Sequence, residues 1–477
     1  LAQRKRIMGR LRSLEQIRRV ATTIRPLVDR AAAGPAVQAD LRALAASAGM
    51  APDQYREYFK GKQEADLLLE SGGDPNARSV SDAIGVAQFM VGTGQRCGLR
   101  VNLAASNALS RQITTLEHQM TALEALPDTW SRAAPAGFQN SAAADGGVWN
   151  RDRWLAYRKG QWKALVMKRR RVDERFDPVK AITAQTRYLL RLTRRYGGID
   201  WALQAYHGGE AGASRTMRLF GAGGRRVSFT ELYRRVSPTA TPAAFSYLFG
   251  RSDDHRYYWW KVLMAERALD LYRRDPAEFE RQWRALQPGL SADAAYYPEP
   301  APLQFADAAA LQEAYSSGVL VPLPSSAGSL GLQTANLAVL EPGRGTLHKG
   351  LRPEAMGALL RLAQHYASFG GREPLTLLSM VQSADYRHMW LARYPPKPLP
   401  PNVPRDPEFH TTGLTFDVKT PADNWDRKVL EYALGRLYDT LRISWRKEDD
   451  GGSRRYHVVV NPEYTAEMVE YLQRAGR

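Results

Sequence analysis

Apolar residues recur at spacings of three and four from Ile7 to Val28, through Leu11, Leu14, Ile17, Val20, Ala21, Ile24 and Leu27, with arginines and lysines between them. That period predicts one basic amphipathic helix over residues 1–33, ended by Gly34-Pro35. Its apolar stripe suits packing on the next domain; self-association, or a position just after a lost membrane anchor, would use the same stripe. Residues 36–69 predict further helices, and Leu67-Leu68-Leu69 brings the last of them to Glu70. There Ser71-Gly72-Gly73-Asp74-Pro75 breaks the period. A carboxylate is thereby placed at a helix end, facing a turn of small residues.

Helical periodicity returns near 103–126, and again from 151 to 172 after a loop rich in Ala, Gly and Ser (133–147). The second stretch carries Trp154, Tyr157 and Trp162 among nine basic residues and one acidic, and ends in Lys168-Arg169-Arg170-Arg171. Aromatic faces beside clustered cations can stack on bases or sugars and attract phosphate or carboxylate. A solvated basic helix whose aromatics point into a small core accounts for the same pattern. A helix over 178–203 brings Ile182, Tyr188, Leu189, Leu192 and Leu203 to the core and delivers Tyr206. Another opens at Tyr257-Tyr258-Trp259-Trp260 and runs to Arg274, most of its rings suited to an all-helical core.

Residues 285–345 lose the period. Pro298, Pro300, Pro302, Pro322 and Pro324 punctuate them, which predicts an interdomain linker with Leu303, Phe305, Leu311, Leu320 and Leu323 docked on a neighbour. From 346 onward helix and strand mix. Pro353–Phe369 reads as helix, Leu375–Val381 as a buried strand, and Pro395–Pro401 as an extended loop that cannot join a central sheet.

Composition narrows the class. A chain of 477 residues with 44% hydrophobic content can build two or three cores. It has no run of 18 apolar residues, so nothing in it spans a membrane as a helix. The first residue is Leu1, which leads us to expect an export signal or membrane anchor removed upstream. Cys97 is the only cysteine, which excludes an internal disulfide and cysteine-rich metal sites. The net charge of +18 favours a polyanionic partner: anionic cell-wall polymer, membrane surface or nucleic acid. No recognisable nucleic-acid fold accompanies that charge, which places nucleic acid last.

Glu70-Ser71, Pro75, Ser79, Ala83, Gly85, Gln88 and Met90, followed much later by Ala205-Tyr206 and Gly209, stand at telling spacings. They resemble the catalytic domain of the soluble, lysozyme-like type of lytic transglycosylase (SLT domain). Its pattern is Glu-Ser, a proline, Ser-x-x-Gly-Ala-x-Gly-x-x-Gln-x-Met, and later Ala-Tyr-Asn-x-Gly. Asp82 stands where that family has glycine, and His207 where it has asparagine. The resemblance covers residues 45–285 and implies a mainly α, lysozyme-like domain. It implies Glu70 as the acid/base, and we expect that carboxylate to lie partly buried beside Tyr206 and Met90. Ser79, Gln88 and Tyr206 would hold the glutamate or the sugar, Met90 and Ala205 would join them in binding substrate, and Tyr258 would border the cleft. The family pattern resumes only at Asp173-Glu174-Arg175-Phe176-Asp177-Pro178, so residues 103–172 read as an insertion. Asp74 is a second carboxylate nearby, although Asp-Pro-Asn suits a turn better than catalysis.

His410, Gly413, Asp417 and a distant His457 provide two imidazoles and a carboxylate, a donor set that leaves a fourth position open on a catalytic zinc. With Ser383-x-x-x-Arg387 they resemble zinc peptidases of the D-Ala-D-Ala carboxypeptidase (M15-like) type. The resemblance implies His410, Asp417 and His457 as metal ligands and Arg387 as a substrate-binding residue. Such peptidases carry a general-base glutamate three residues before the last histidine, where this chain has Arg454, and a serine where it has Glu408.

The expected architecture is therefore multidomain. A basic helical region (1–44) precedes a mainly α lysozyme-like domain (45–284), a linker (285–345) and an α+β domain (346–477). The expected function is an envelope enzyme of the periplasm that cleaves peptidoglycan between N-acetylmuramic acid and N-acetylglucosamine, with a zinc-holding C-terminal domain that binds or trims peptide. Other cell-envelope proteins are expected partners. A water-using muramidase and a non-catalytic scaffold of a cell-wall machine are the alternatives.

Overall fold

A computed structural model describes residues 13–135, 148–221, 227–251, 253–285, 304–394, 409–440, 442–450, 453–461 and 470. Its described part is mixed, mainly helical with a smaller α/β portion. Two compact units are present. One takes in Arg12–Tyr206 with Ala265–Asp275, and the other His207–Met264 with the described residues of Pro276–Arg477. The division therefore differs from the boundary expected near residue 284, because 207–264 cluster with the C-terminal part.

In the first unit, helices α1 (Leu14–Arg19), α2 (Arg25–Ala32), α3 (Pro35–Ala48) and α4 (Pro52–Ser71) lead to Glu70. The single N-terminal helix expected from the period is interrupted by a π-helical turn over Val20–Ile24. Ile7 and Leu11 lie outside the described residues. Ile17, Val20, Ile24 and Val28 are buried, so the apolar stripe packs within this unit. Arg25 and Arg273 hold the buried Glu64 carboxylate at 3.1 and 2.6 Å, fastening both chain segments to α4.

Helices α5 (Val91–Arg96) and α6 (Leu103–Glu124), strands β1 (Ser131–Ala133) and β2 (Val148–Asn150), and helix α7 (Arg151–Val172) follow. Asn102 and Asn150 cap α6 and α7 by accepting backbone N–H groups. The insertion is thus a pair of long helices closed by a β1–β2 antiparallel pairing. Trp149, Trp154 and Ala134 are buried together, the two indoles 5.8 Å apart and edge to face, with Trp130, Leu123 and Tyr157 against them. Lys159, Lys163, Lys168 and Arg171 are exposed. The aromatics of α7 therefore build a core, and four of its nine cations are exposed. Helix α8 (Pro178–Tyr196) is separated from α9 (Ile199–Gly208) by Gly197, at φ 84°, so the helix expected over 178–203 is two helices.

The second unit continues with α10 (Glu210–Phe220), α11 (Phe229–Arg235), α12 (Pro242–Phe249), α13 (Asp253–Arg256), α14 (Tyr258–Arg274), whose later residues belong to the first unit, and α15 (Pro276–Ala285). Then come α16 (Ala308–Ser316), β3 (Val321–Pro322), β4 (Leu332–Thr334), β5 (Gly350–Leu351), α17 (Pro353–Ser368), β6 (Leu375–Ser379), α18 (Ala384–Arg393), β7 (Thr415–Lys419), α19 (Asn424–Asp439), β8 (Ile443–Asp450) and β9 (Ser453–Val460). Five strands form one sheet in the order β4-β6-β7-β9-β8, with β4–β6 parallel and the rest antiparallel. Alternation puts Leu377, Phe416, Val418, Tyr456 and Val458 on its buried apolar face. Each such side chain contributes about 1.5–3 kcal/mol on burial.

The linker expected over 285–345 is corrected from residue 304 onward. β4 is an edge strand of the sheet, and Phe305, Leu311 and Leu320 are buried in one cluster with Val381. Leu303 and the Pro395–Pro401 loop lie outside the described residues. Among the described residues no helix is long and apolar enough to cross a membrane.

Candidate active site and candidate metal centre

Helix α4 ends because Gly72 and Gly73 both take positive φ (64° and 72°), a conformation that costs glycine little. Ser71 then turns its hydroxyl inward, donating to Val86 O at 2.7 Å and accepting from Gly73 N at 3.1 Å. One residue earlier, Glu70 is left half-buried beside the loop that follows. Asp74 Oδ1 accepts the Asn76 N–H at 2.8 Å, the turn role that its sequence suggested.

The 77–89 loop is stitched by its own polar groups. Ser79 Oγ accepts from Ala83 N at 2.9 Å, and Gln88 Nε2 donates to Gly85 O at 2.8 Å. Gly85 has φ 78°, and a Cβ there would lie 1.9 Å from the Arg175 carbonyl oxygen. Arg175 is itself fully buried, paired with Asp173 at 2.8 Å and donating to Phe89 O at 3.2 Å. Asp82, at the family's glycine position, holds φ 60°, the left-handed region that glycine enters most easily.

Tyr206 closes the site from α9. Its hydroxyl donates to Ala87 O, and its ring lies 5.9 Å from Phe89 and 5.6 Å from Tyr188. Burial drives its pKa well up, and the nearby carboxylates of Asp66 and Glu70 push it further. Asp66, one turn before Glu70, is fully buried and accepts from Gln185 Nε2 at 2.8 Å. Sequence reasoning missed Asp66 because its partner is brought in by another helix.

Glu70, Ser79, Gln88, Met90, Ala205 and Tyr206 all belong to the first unit. Met90 is 46% exposed, and Ala205 is buried at 1% exposed. Tyr258 belongs to the second unit, where it is buried with its ring stacked 3.8 Å from that of His207.

The metal candidates come from three places. Asp417 on β7 faces His457 on β9 as a cross-strand partner. His410 sits in the 3₁₀ turn Phe409–Thr412, with its Nδ1 3.1 Å from both Met380 O and Ser379 Oγ. A register shift between Leu377 and Ser379 turns Ser379 to the same side as Asp417. Phe305, from the former linker, donates its N–H to Thr411 O and accepts from Ala384 N, both at 2.8 Å, so it holds the turn and the start of α18 together.

One ligand atom from each of His410, Asp417 and His457 lies within 4.8 Å of the others, and all three residues are buried. Asp417 Oδ1 is 2.8 Å from His457 Nδ1, and Oδ2 is 3.4 Å from His410 Nε2. Burial works against the Asp417 carboxylate, but His410 and His457 outweigh it and hold its pKa well below the usual range. Burial lowers the His410 pKa, Asp417 opposes this, and the nearby charges of His457 and Arg387 add to the lowering. A neutral imidazole steadied through Nδ1 by a carbonyl is the form that binds metal. The group could hold a metal ion. Arg387 lies within electrostatic reach of His410.

Around this cluster, sequence reasoning missed several residues. Arg455 Nε is 3.3 Å from Asp417 Oδ2, and Gln382 Nε2 donates to Ser379 Oγ at 3.1 Å. Gln382 Oε1 and Thr415 Oγ1 are buried without a hydrogen-bond partner. Arg454 pairs in register with Asp449, so the expected base is not restored on β9. Glu448 on β8 lies on the site's side of the sheet, yet it is paired with Arg446 at 2.6 Å and Arg455 at 2.7 Å. Burial raises its pKa, but His457, Arg446 and Arg455 more than compensate and lower it, which makes it a weak base. Glu408 lies outside the described residues.

No protein-family model, curated protein or solved structure matches this chain. The chemistry open to the two centres must therefore be read from their own residues. Glu70 offers one half-buried carboxylate beside a phenol, suited to giving and retaking a proton. The His410 group offers buried metal donors next to cations.

Proposed function

We propose that this chain is a peptidoglycan lytic transglycosylase of the cell envelope. One observation carries the reading: Glu70 is half-buried at the end of α4, within electrostatic reach of Tyr206. Asp66 is bound by Gln185 and Asp74 by the Asn76 N–H. Hydrolysis commonly uses a second carboxylate to activate water or to stabilise the sugar cation. A single acid/base suits the intramolecular route. The Glu70 carboxyl gives its proton to the glycosidic oxygen as the bond from the N-acetylmuramic acid C1 breaks. The resulting carboxylate then takes the proton of that sugar's C6 hydroxyl as O6 bonds to C1. The product is a 1,6-anhydro sugar, and Glu70 ends protonated as it began.

The C-terminal unit is proposed to engage the peptide stems. His410, Asp417 and His457 would hold zinc, which when bound would supply a Lewis acid for a carbonyl or carboxylate. Arg387 and Arg455 supply fixed positive charge beside it. Because Arg454 replaces the base and Glu448 is held by two arginines, binding is favoured over peptide cleavage. The net charge of +18 suits an anionic wall. The test is release of soluble fragments from purified peptidoglycan. Wild type should release them and Glu70→Gln should not; equal release by both would contradict the proposal.

A further inference from the structure

A pocket of about 310 Å³ opens in the second unit, among α11, α12, the start of α14, and α19. A volume of this order suits a small ligand. Its walls are rings: Tyr233, Phe249, Tyr257, Trp260 and Tyr432. Tyr233 lies 5.7 Å from Trp260 and 6.2 Å from Tyr257, so the rings form one continuous wall. The Trp260 indole N–H is buried without a hydrogen-bond partner.

The pocket also depends on a missing side chain. Gly435 lines it from within α19, where glycine costs about 0.5–1 kcal/mol relative to alanine. A Cβ at Gly435 would meet nothing within 4 Å, so space is not what requires glycine. Its effect is to keep the pocket open.

The charged lining supplies both donors and acceptors: Arg234 and Arg436 stand with Glu431 and Asp439. The rings are moreover already served by a cation, since the Arg256 guanidinium lies 4.7 Å from the Phe249 ring centre and 5.0 Å from that of Tyr257. Aromatic faces, a spare N–H donor, and both donors and acceptors at the edge match an uncharged, polyhydroxylated ring.

We infer that this pocket binds an uncharged amino-sugar ring of the N-acetylglucosamine class, as an accessory glycan site in the second unit. The ligand class is argued from the pocket's own walls; only its use on peptidoglycan rests on the function proposed above. The experiment follows the Trp260 indole N–H resonance, assigned by its loss in Trp260→Phe, in full-length Glu70→Gln protein titrated with tetra-N-acetylglucosamine. The resonance should shift saturably, and adding Gly435→Leu, which fills the pocket and removes no wall, should weaken the response tenfold or more with no loss of thermal stability. A resonance that stays still, or that shifts equally in the Gly435→Leu protein, would overturn the inference. The readout is binding to a chain unable to use Glu70, so a failure of the transglycosylase reading would not be mistaken for a failure of this one.

Discussion

Arg169 Nη2 donates to Asn76 Oδ1 at 2.8 Å, and this bond ties the insertion to the loop that follows Glu70. The guanidinium also lies 3.7 Å from the Phe176 ring centre, and burial, with Arg78 nearby, pulls its pKa down to about 10. One cation of the Lys168–Arg171 run is thus turned inward as a brace. Arg169→Met should cost about 1.5–3 kcal/mol, the range for a hydrogen bond to a charged group. It should also slow glycan cleavage, while Lys168→Met on the exposed face changes neither. Urea unfolding and fragment release measure both.

Gly85 and Asp82 share one loop and should respond differently to exchange. In Gly85→Ala the new Cβ is directed into the Arg175 carbonyl at a φ of 78°, and a loss of about 1–3 kcal/mol is expected. Asp82→Gly relaxes a φ of 60° and gives up only an exposed 3.4 Å pair with Arg78, so stability should stay within about 1 kcal/mol. Thermal unfolding of both variants separates the cases.

Glu174 sets an acid dependence. Burial would raise its pKa, but the Arg100 backbone N–H, the Lys180 ammonium and the Arg100 guanidinium outweigh it and hold the carboxyl at about 2. The folded pKa lies below the unfolded one, so this stabilisation is present above about pH 4.5 and is lost as pH falls toward 2. The Tm gap between wild type and Glu174→Gln should therefore be widest near neutrality and close through that window.

The metal centre makes a separate prediction. Full-length protein should bind one zinc per chain by elemental analysis after dialysis, and Asp417→Asn should bind at least about a hundredfold more weakly. Burial keeps His410 neutral to lower pH than an ordinary histidine, so zinc should be retained into mildly acidic solution.

Local chemistry was legible in the sequence, and long-range assembly was not. Glu70 sits between a leucine run and two glycines, so its place at a helix end follows from neighbours alone. His410, Gly413 and Asp417 are likewise close in sequence, and β9 brings in His457 by ordinary strand pairing. The three residues of β4 leave no period to read, so the strand that pairs with β6 reads as linker in the sequence. Phe305 was foreseen as docking, though not as the support of the His410 turn. The π-helical turn at Val20–Ile24 keeps the helical spacing of apolar residues and so left no mark. Asp66, Arg455 and Glu448 acquire their surroundings from partners on other elements, which no single stretch of sequence displays.

The most direct measurement is the mass of the glycan ends released from purified peptidoglycan. The account predicts fragments ending in 1,6-anhydro-N-acetylmuramic acid from the wild-type chain and none from Glu70→Gln. Reducing ends that have gained water, still dependent on Glu70, would contradict it and make the enzyme a hydrolase.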